Sequence, residues 1–218
     1  QCSWVHMKEK EEATQKAKDL VRSAVAKAAL LVPQEEMRVD VIPRSLVIGG
    51  GVAGLSAALS LARQRFDVHL VEKDEALGGH GRNLSQTWKG EEVSALLSEI
   101  DQSVKNHPLI SVHLESTVVE AEGFVGNFRS TIKTGGEQEI VEHGATILAT
   151  GGKELKSEEY LYGTHPGIMT HLDLDEALLK GDARVKEANT AVFIQCVGSR
   201  IPERPYCSKI CCTHSLES

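Results

Sequence analysis

Aromatic side chains and long apolar runs are scarce in this chain of 218 residues. Phe, Trp and Tyr make up 4% of the sequence, and no apolar run approaches the roughly 20 residues that a membrane-spanning helix needs. We therefore expect no membrane span. Basic residues are also in the minority, since 24 Lys and Arg stand against 31 Asp and Glu, for a net charge of −7. This balance argues against nucleic acid as the main partner.

Cysteine is rare and unevenly placed. The chain contains 5 cysteines, and all but Cys2 lie from position 196 onward. A disulfide scaffold spreads its cysteines to connect distant loops, so this distribution indicates a metal or redox site in a reducing compartment. The charged N-terminal region does not have the composition of a signal peptide, and we expect a cytoplasmic location. Because the sequence begins at Gln1 and stops within the cysteine-rich stretch, we expect a fragment of a longer protein.

The chain is organised around a glycine-rich turn between two apolar segments. Ser45 to Ile48 reads as a buried strand, and the next six residues, GGGVAG at 49–54, match the G-x-G-x-x-G dinucleotide fingerprint. A helix is predicted over 52–65, and a second strand over 67–71 leads to Glu72. This order of strand, turn, helix, strand and carboxylate is the context in which the fingerprint binds a dinucleotide.

Each position of the fingerprint has an expected task. Gly49 permits the tight turn, Gly51 lets the backbone approach a pyrophosphate, and Gly54 lets the helix pack closely. The backbone N–H groups of Val52, Ala53 and Gly54 point at the phosphates from the positive end of the helix.

The residues after the second strand extend the predicted site. The carboxylate of Glu72 can accept hydrogen bonds from both ribose hydroxyls of an adenosine, and it disfavours the 2′-phosphate of NADP. We expect Glu72→Ala to weaken cofactor binding with little damage to the fold. Gly78 and Gly79 allow a close backbone approach, although an ordinary glycine turn is the alternative. Lys73 and Arg82 are the remaining predicted contacts in this segment.

The composition divides the chain into three parts: residues 1–43, 44–155 and 156–218. The first contains an amphipathic helix over 8–31 and an extended linker. The second is predicted to be a Rossmann-like α/β domain with a doubly wound, mostly parallel sheet and an inserted β meander. The third begins a second α/β domain that carries the cysteines.

The pattern also predicts the later elements of these domains. In chain order they are a helix over 91–105, strands over 110–114 and 116–122, a hairpin around 135–136, a strand beginning at 145, a helix over 171–180 and a buried strand over 188–197. The strand beginning at 145 reads ATILATGG and brings Thr150 and Gly151 to the cofactor edge of the sheet.

The terminal cysteines form a possible ligand set. Cys196, Cys207, Cys211 and Cys212 have ten, three and no residues between successive members. Four thiolates suffice for one [4Fe–4S] cluster, and they equally satisfy zinc. Buried structural cysteines are the third reading.

These motifs together resemble known families. The fingerprint, Glu72, the glycine pair at 78–79 and the ATILATGG strand resemble the thioredoxin-reductase-like flavoproteins. The segments VFIQCVGSR and PERPYCSKICCTHS resemble the A subunit of heterodisulfide reductase and its bacterial relatives. The resemblance implies FAD in the first domain and a [4Fe–4S] cluster on the four cysteines. It also implies an oxidoreductase subunit that carries electrons between them, with other complex subunits and ferredoxin- or hydrogenase-type proteins as partners.

Two departures from the family pattern leave alternatives open. The strand predicted over 188–197 is followed by Gly198 alone and not by a second fingerprint, which argues against the usual NAD(P)H site. No Cys-x-x-Cys pair occurs, so an NAD(P)H-dependent disulfide reductase is disfavoured. A truncated, non-catalytic cofactor-binding fragment is the other alternative. The sequence assigns no catalytic residue, because flavin and cluster chemistry belongs to the cofactors.

Overall fold

The computed structural model describes residues 7–33, 36, 38–87, 89–207, 209 and 211–217. Cys2 lies outside the described residues. The chain forms two units, residues 1–39 and residues 40–218. Among the described residues, none of the helices combines the length and apolar character that crossing a bilayer requires.

Among its described residues, the first unit contains one helix, α1 (Lys10–Ala29), slightly shorter than the predicted 8–31. Glu11 and Glu12 lie in its first turn and Lys27 in its last, which suits the helix dipole. None of the helix residues is buried. The packing of an apolar face against a neighbour therefore stays a prediction.

The second unit begins with a βαβ arrangement. Its elements in chain order are β1 (Arg44–Ile48), α2 (Val52–Arg63), β2 (Asp67–Val71), a 3₁₀ turn (Gly79–Asn83), α3 (Val93–Lys105), β3 (Ile110–His113), β4 (Ser116–Phe124), β5 (Asn127–Thr134), β6 (Glu137–His143), β7 (Ala145–Leu148), a second 3₁₀ turn (Glu159–Leu161), α4 (His171–Lys180), α5 (Ala183–Lys186) and α6 (Cys211–Glu217). Strands β3, β2, β1 and β7 form a parallel sheet in that order, while β4, β5 and β6 form a separate antiparallel sheet. The predicted α/β class with a Rossmann-like parallel sheet and an inserted meander is confirmed.

The side chains of the parallel sheet alternate between two apolar clusters. Val47 and Leu70 point to one side, where they pack with Leu55 of α2 in the larger core. Leu46 and Val71 point to the other side, where they pack with residues of the meander such as Ile132. Covering both faces is typical of parallel sheets. Because β1 and β2 are paired and parallel, their carboxyl ends meet at one edge of the sheet, next to the glycine turn.

The strand predicted over 188–197 is wrong. Residues 189–195 have no regular structure, and Val192 is 80% exposed while Phe193 is 42% exposed. A parallel strand is stabilised by hydrogen bonds to a neighbour and by burial of its apolar side chains. Within the described part of the chain, this segment pairs with no strand. The division at residue 155 stays a prediction.

The helix predicted over 171–180 is confirmed as α4. It begins after Thr170, whose hydroxyl accepts a hydrogen bond from the N–H of Asp173. The carboxylate of Asp173 in turn accepts from the N–H of Thr170, which completes a capping box. This arrangement fixes the start of α4 in the region that follows the parallel sheet.

Candidate functional site

The glycines of the fingerprint differ in whether the fold itself requires glycine at that position. Gly49 has φ of +109°, and a Cβ there would lie 2.3 Å from the carbonyl oxygen of Ala149. A Cβ at Gly54 would lie 1.8 Å from the carbonyl oxygen of Gly49. Both positions therefore need glycine for the fold itself. A Cβ at Gly51 would meet nothing within 4 Å, so the packing of the protein leaves open space beside this residue.

The open space lies at the N-terminus of α2. Gly51 is the N-cap residue, no side chain caps the helix, and no acidic residue lies in its first turn. The first N–H groups of a helix have no acceptor within the helix, and Val52 and Ala53 are exposed. This end of α2 therefore presents amide donors and the positive end of the helix dipole to an anion. The geometry fits the pyrophosphate of a dinucleotide.

The side chain of Glu72 forms a hydrogen bond with the backbone of the glycine turn. Its side chain is buried, with one oxygen accepting from the N–H of Gly50 at 2.6 Å and the other from the N–H of Asp74 at 2.9 Å. Each carboxylate oxygen has two lone pairs, so acceptor capacity remains for ribose hydroxyls. The clamp on Gly50 is a second role that sequence reasoning missed, because the spacing along the chain does not show which way the carboxylate points.

The second glycine pair lies directly against the turn. The N–H of Gly78 donates to the carbonyl oxygen of Gly50 at 2.8 Å, and Gly78 and Gly51 form an isolated parallel bridge. Both Gly78 and Gly79 have positive φ, +110° and +53°. The structure therefore brings this pair to the fingerprint, and its contact with a cofactor stays a prediction.

The other predicted contacts lie around the same edge of the sheet. Arg82 is exposed, and its Cγ would lie 2.8 Å from a Cβ built on Gly78. Thr150 and Gly151 are exposed and follow β7, with Gly151 at φ of +65°. Lys73 is exposed beside Glu72, and the structure gives it no specific contact with the turn.

His80 connects the turn to the segment after β7. Its Nε2 lies 2.8 Å from the carbonyl oxygen of Gly152. A carbonyl can only accept, so Nε2 carries the proton and donates. The sequence offered no signal for this role, since a histidine in a glycine turn has no distinctive spacing.

A large cavity opens beside His80 and contains the cysteines. Its volume is about 1090 Å³, and its lining includes all four predicted ligands, Cys196, Cys207, Cys211 and Cys212. His80 and the cations Lys153, Arg204 and Lys209 line the same cavity. The structure therefore gathers four thiols, separated by up to 16 positions in the sequence, in one cavity that is also lined by four cationic side chains and three carboxylates.

The thiols have the chemistry of metal ligands, although they do not converge on one point. All four are free, and three are exposed. The N–H of Lys209 donates to Sγ of Cys207 at 3.3 Å. Among the described residues, no three His, Cys, Asp or Glu side chains are close enough to hold a metal ion. The donor set suits a soft metal centre, and closing it requires local adjustment of the cavity walls.

Comparison with known proteins supports the family assignment. The family described as pyridine nucleotide-disulphide oxidoreductase matches residues 43–192. One iron-sulfur A subunit of the CoB–CoM heterodisulfide reductase of Methanopyrus kandleri is 33% identical over 99% of this chain and 47% of its own length. The A subunit of the H₂:CoB–CoM heterodisulfide,ferredoxin reductase of Methanothermobacter marburgensis is 45% identical over 60% of this chain and 20% of its own length.

A solved structure, L-proline dehydrogenase from P. horikoshii, matches with a TM-score of 0.45 and 24% identity, covering 56% of this chain and 25% of that one. The resemblance to the A subunit of heterodisulfide reductase is confirmed by the sequence relatives. The chain spans about half the length of the curated relatives that match it throughout, 47% in each of three cases.

Proposed function

Because the chain belongs to the pyridine nucleotide-disulphide oxidoreductase family, we propose that it binds FAD at the glycine turn and a [4Fe–4S] cluster in the adjacent cavity. The cluster ligands are Cys196, Cys207, Cys211 and Cys212. The protein acts as an oxidoreductase subunit that carries electrons between the two centres. When bound, the flavin and the cluster supply the redox chemistry, and the chain supplies binding, orientation and electrostatics.

The observation that supports this proposal is the shared lining of the cavity. His80 faces the same space as the four cysteines and also donates to Gly152. Gly152 directly follows Thr150 and Gly151, which lie at the cofactor edge of the parallel sheet. A cluster in this cavity is therefore adjacent to the dinucleotide turn, as electron exchange with a flavin requires.

The chain's own residues bind the flavin nucleotide through the backbone. The N–H groups of Val52, Ala53 and Gly54 hold the pyrophosphate at the start of α2. The remaining lone pairs of Glu72 accept from the adenosine ribose. The open space beside Gly51 lets the phosphates approach the turn without a side chain in the way.

The cations of the cavity offset part of the charge of the cluster. Four thiolates and a cluster core carry net negative charge, which a cavity without cations stabilises poorly. Lys153, Lys156, Arg204 and Lys209 line this space together with Glu154, Asp173 and Glu176, so one positive charge is in excess. Four thiolates on Zn²⁺ carry the same net charge as four thiolates on a [4Fe–4S]²⁺ core, so the cations of the cavity do not distinguish zinc from the cluster.

We further propose that the protein works in the cytoplasm within a heterodisulfide-reductase-like complex. The names of its relatives motivate this proposal, since one includes ferredoxin and another F₄₂₀H₂. The partners are accordingly the other subunits of such a complex and ferredoxin- or hydrogenase-type proteins. The net charge of −7 leaves nucleic acid outside this group.

The test is an anaerobic absorbance spectrum with assays for flavin, iron, sulfide and zinc. About one flavin and roughly four irons per chain support both sites. Flavin with zinc or without iron overturns the cluster, and iron without flavin overturns the dinucleotide site. A Cys211→Ala/Cys212→Ala variant serves as the matched control, because it should keep flavin and lose iron. Rapid bleaching of the flavin by NADH would instead favour a pyridine-nucleotide reductase.

A further inference from the structure

The hydroxyl of Ser215 connects three separate segments beside the cysteine cavity. It accepts a hydrogen bond from Nε2 of Gln195 and donates to the carbonyl oxygen of Cys211 at 2.9 Å. Its third contact is Nε2 of His171. These partners come from the cysteine-bearing helix α6, from the start of α4 and from the residue that precedes Cys196.

The proton count fixes the direction of each bond. A serine hydroxyl has one proton to donate and two lone pairs that accept. The proton of Ser215 goes to the carbonyl of Cys211, and one lone pair receives the amide of Gln195. The contact with His171 is therefore an N–H donation from Nε2 to the second lone pair. The hydroxyl is fully used, and replacing any one partner leaves part of its capacity unmatched.

The position of His171 is set by its place at the start of α4 and by a stacking contact. His171 is the first residue of α4 and lies within the capping box, between Thr170 and Asp173. The hydroxyl of Tyr162 donates to the carboxylate of Asp173 at 2.8 Å, which secures the same helix end. The imidazole also stacks on Phe193, with ring centroids 6.0 Å apart and planes at 21°. His171 therefore connects α4 with the segment that leads to Gln195.

The first turns of α4 also form part of the cavity wall. Leu172, Asp173 and Glu176 of α4 line the same cavity as the cysteines. Ser215 lies one helical turn beyond Cys211 on α6, so its contact with His171 sets the position of that helix relative to α4. Its contact with Gln195 sets the position of the adjacent Cys196. One hydroxyl thus links the two chain segments that supply three of the four thiols.

We propose that Ser215, together with His171 and Gln195, positions the cysteine-bearing helix α6 for cluster binding. This inference rests on the proposed function, because it concerns the same cavity. None of the three residues is a ligand. They act by keeping the segments that carry Cys196 and Cys211 together at the cavity, and partners of this kind in metal sites typically change affinity by roughly 10- to 100-fold when removed.

The experiment compares four variants of the purified protein. Ser215→Ala removes the hydroxyl, and Ser215→Thr retains it. His171→Phe removes the N–H donor and keeps a ring that can stack on Phe193. Thr213→Ala is the matched control, since Thr213 is an exposed hydroxyl residue on the same helix. The measurements are cluster loss to an iron chelator, the electron paramagnetic resonance spectrum of the reduced cluster and the midpoint potential.

We expect Ser215→Ala and His171→Phe to lose the cluster roughly 10- to 100-fold faster than the wild type. Their resonance spectra and midpoint potentials should also change, because the cysteines reach the cluster with altered geometry. Ser215→Thr should restore the wild-type rate and spectrum, and Thr213→Ala should match the wild type. Flavin content and thermal unfolding should be unchanged in all four variants.

The outcomes separate this inference from the proposed function. Wild-type protein that takes up no iron under anaerobic reconstitution overturns the proposed cluster and the positioning role with it. Wild-type protein with a normal cluster, but with no change in Ser215→Ala, overturns the positioning role alone. Equal loss of flavin, cluster and thermal stability in Ser215→Ala assigns the residue to general folding and also overturns the positioning role.

Discussion

The carboxylate of Glu72 lies 2.6 Å from the backbone nitrogen of Gly50, so a residue expected to bind a ribose also clamps the glycine turn. The first consequence concerns Glu72→Ala, which leaves the buried N–H of Gly50 without an acceptor. We expect a loss of about 1–3 kcal/mol in the free energy of unfolding, in addition to weaker FAD binding. Urea unfolding measures the first effect and flavin titration the second.

This expectation revises the prediction from sequence that Glu72→Ala would spare the fold. Glu72→Gln is the matched control, because its amide oxygen can still accept from one of the two N–H groups. Its free energy of unfolding should lie between the values of the wild type and Glu72→Ala. If the free energy of unfolding of Glu72→Ala equals that of the wild type, the hydrogen bond between Gly50 and Glu72 contributes nothing to stability.

The fingerprint glycines offer a second prediction, in which one substitution affects binding and another affects folding. Gly51→Ala places a methyl group in open space, so the fold should be retained within about 1 kcal/mol. The same methyl group lies where a pyrophosphate approaches, and flavin affinity should fall at least about tenfold, or about 1.4 kcal/mol. Equilibrium dialysis with FAD and thermal unfolding measure the two effects.

Gly54→Ala is the counterpart of that variant. Its Cβ would lie 1.8 Å from the carbonyl oxygen of Gly49, so backbone must shift and the protein should unfold at a clearly lower temperature. Full flavin affinity in Gly51→Ala would place the pyrophosphate elsewhere. Normal stability in Gly54→Ala would contradict the close approach of α2 to the turn.

A third prediction concerns acid stability. His143 is fully buried, with Nε2 at 2.9 Å from the hydroxyl of Ser130 and Nδ1 at 3.1 Å from the carbonyl oxygen of Ala145. Burial lowers the pKa of His143 below its ordinary value of 6.5, and burial followed by the nearby His113 does the same for the pKa of His69. Below pH 6.5, the unfolded chain therefore binds protons that the folded chain does not.

The free energy of unfolding should consequently fall as the pH drops through 6.5 toward the folded pKa values. Each such histidine contributes a slope of up to about 1.4 kcal/mol per pH unit. Urea unfolding at several pH values should give a smaller slope for His143→Gln than for the wild type. His69→Gln should likewise give a smaller slope than the wild type, because burial lowers the pKa of His69 as well. An equal slope in wild type and His143→Gln would contradict the buried neutral state.

A fourth prediction tests the hydrogen bond from His80 to Gly152. His80→Ala removes a donor at 2.8 Å that ties the glycine turn to the segment after β7. A hydrogen bond of this kind contributes about 0.5–1.5 kcal/mol, so flavin affinity should fall roughly two- to tenfold. His80→Asn, whose amide can donate, serves as the control. Iron content should remain normal in both, and loss of iron in His80→Ala would place His80 closer to the cluster than proposed.

Much of the fold could be predicted from the sequence because the signals for its turns and helices lie within a few neighbouring residues. The fingerprint at 49–54, the apolar periodicity of α2 and the Gly135–Gly136 turn each specify backbone conformation within a few residues. Helix α4 was predicted with its observed bounds, with Asp173 as a possible cap; the structure shows that the N-cap is Thr170 and that Asp173 completes the capping box. The strand over 188–197 failed for the opposite reason, because a parallel strand depends on neighbours that apolar composition does not provide.

The sequence by itself determined that this chain has a dinucleotide turn, a carboxylate after its second strand and four cysteines with the composition of a ligand set. Only the tertiary structure decided that Glu72 also holds Gly50, that His80 reaches Gly152, and that Ser215 joins His171 to Gln195. These contacts join residues 20 to 72 positions apart. Such pairings depend on how the sheet and helices pack, and packing is a property of the whole folded chain, which no local pattern encodes.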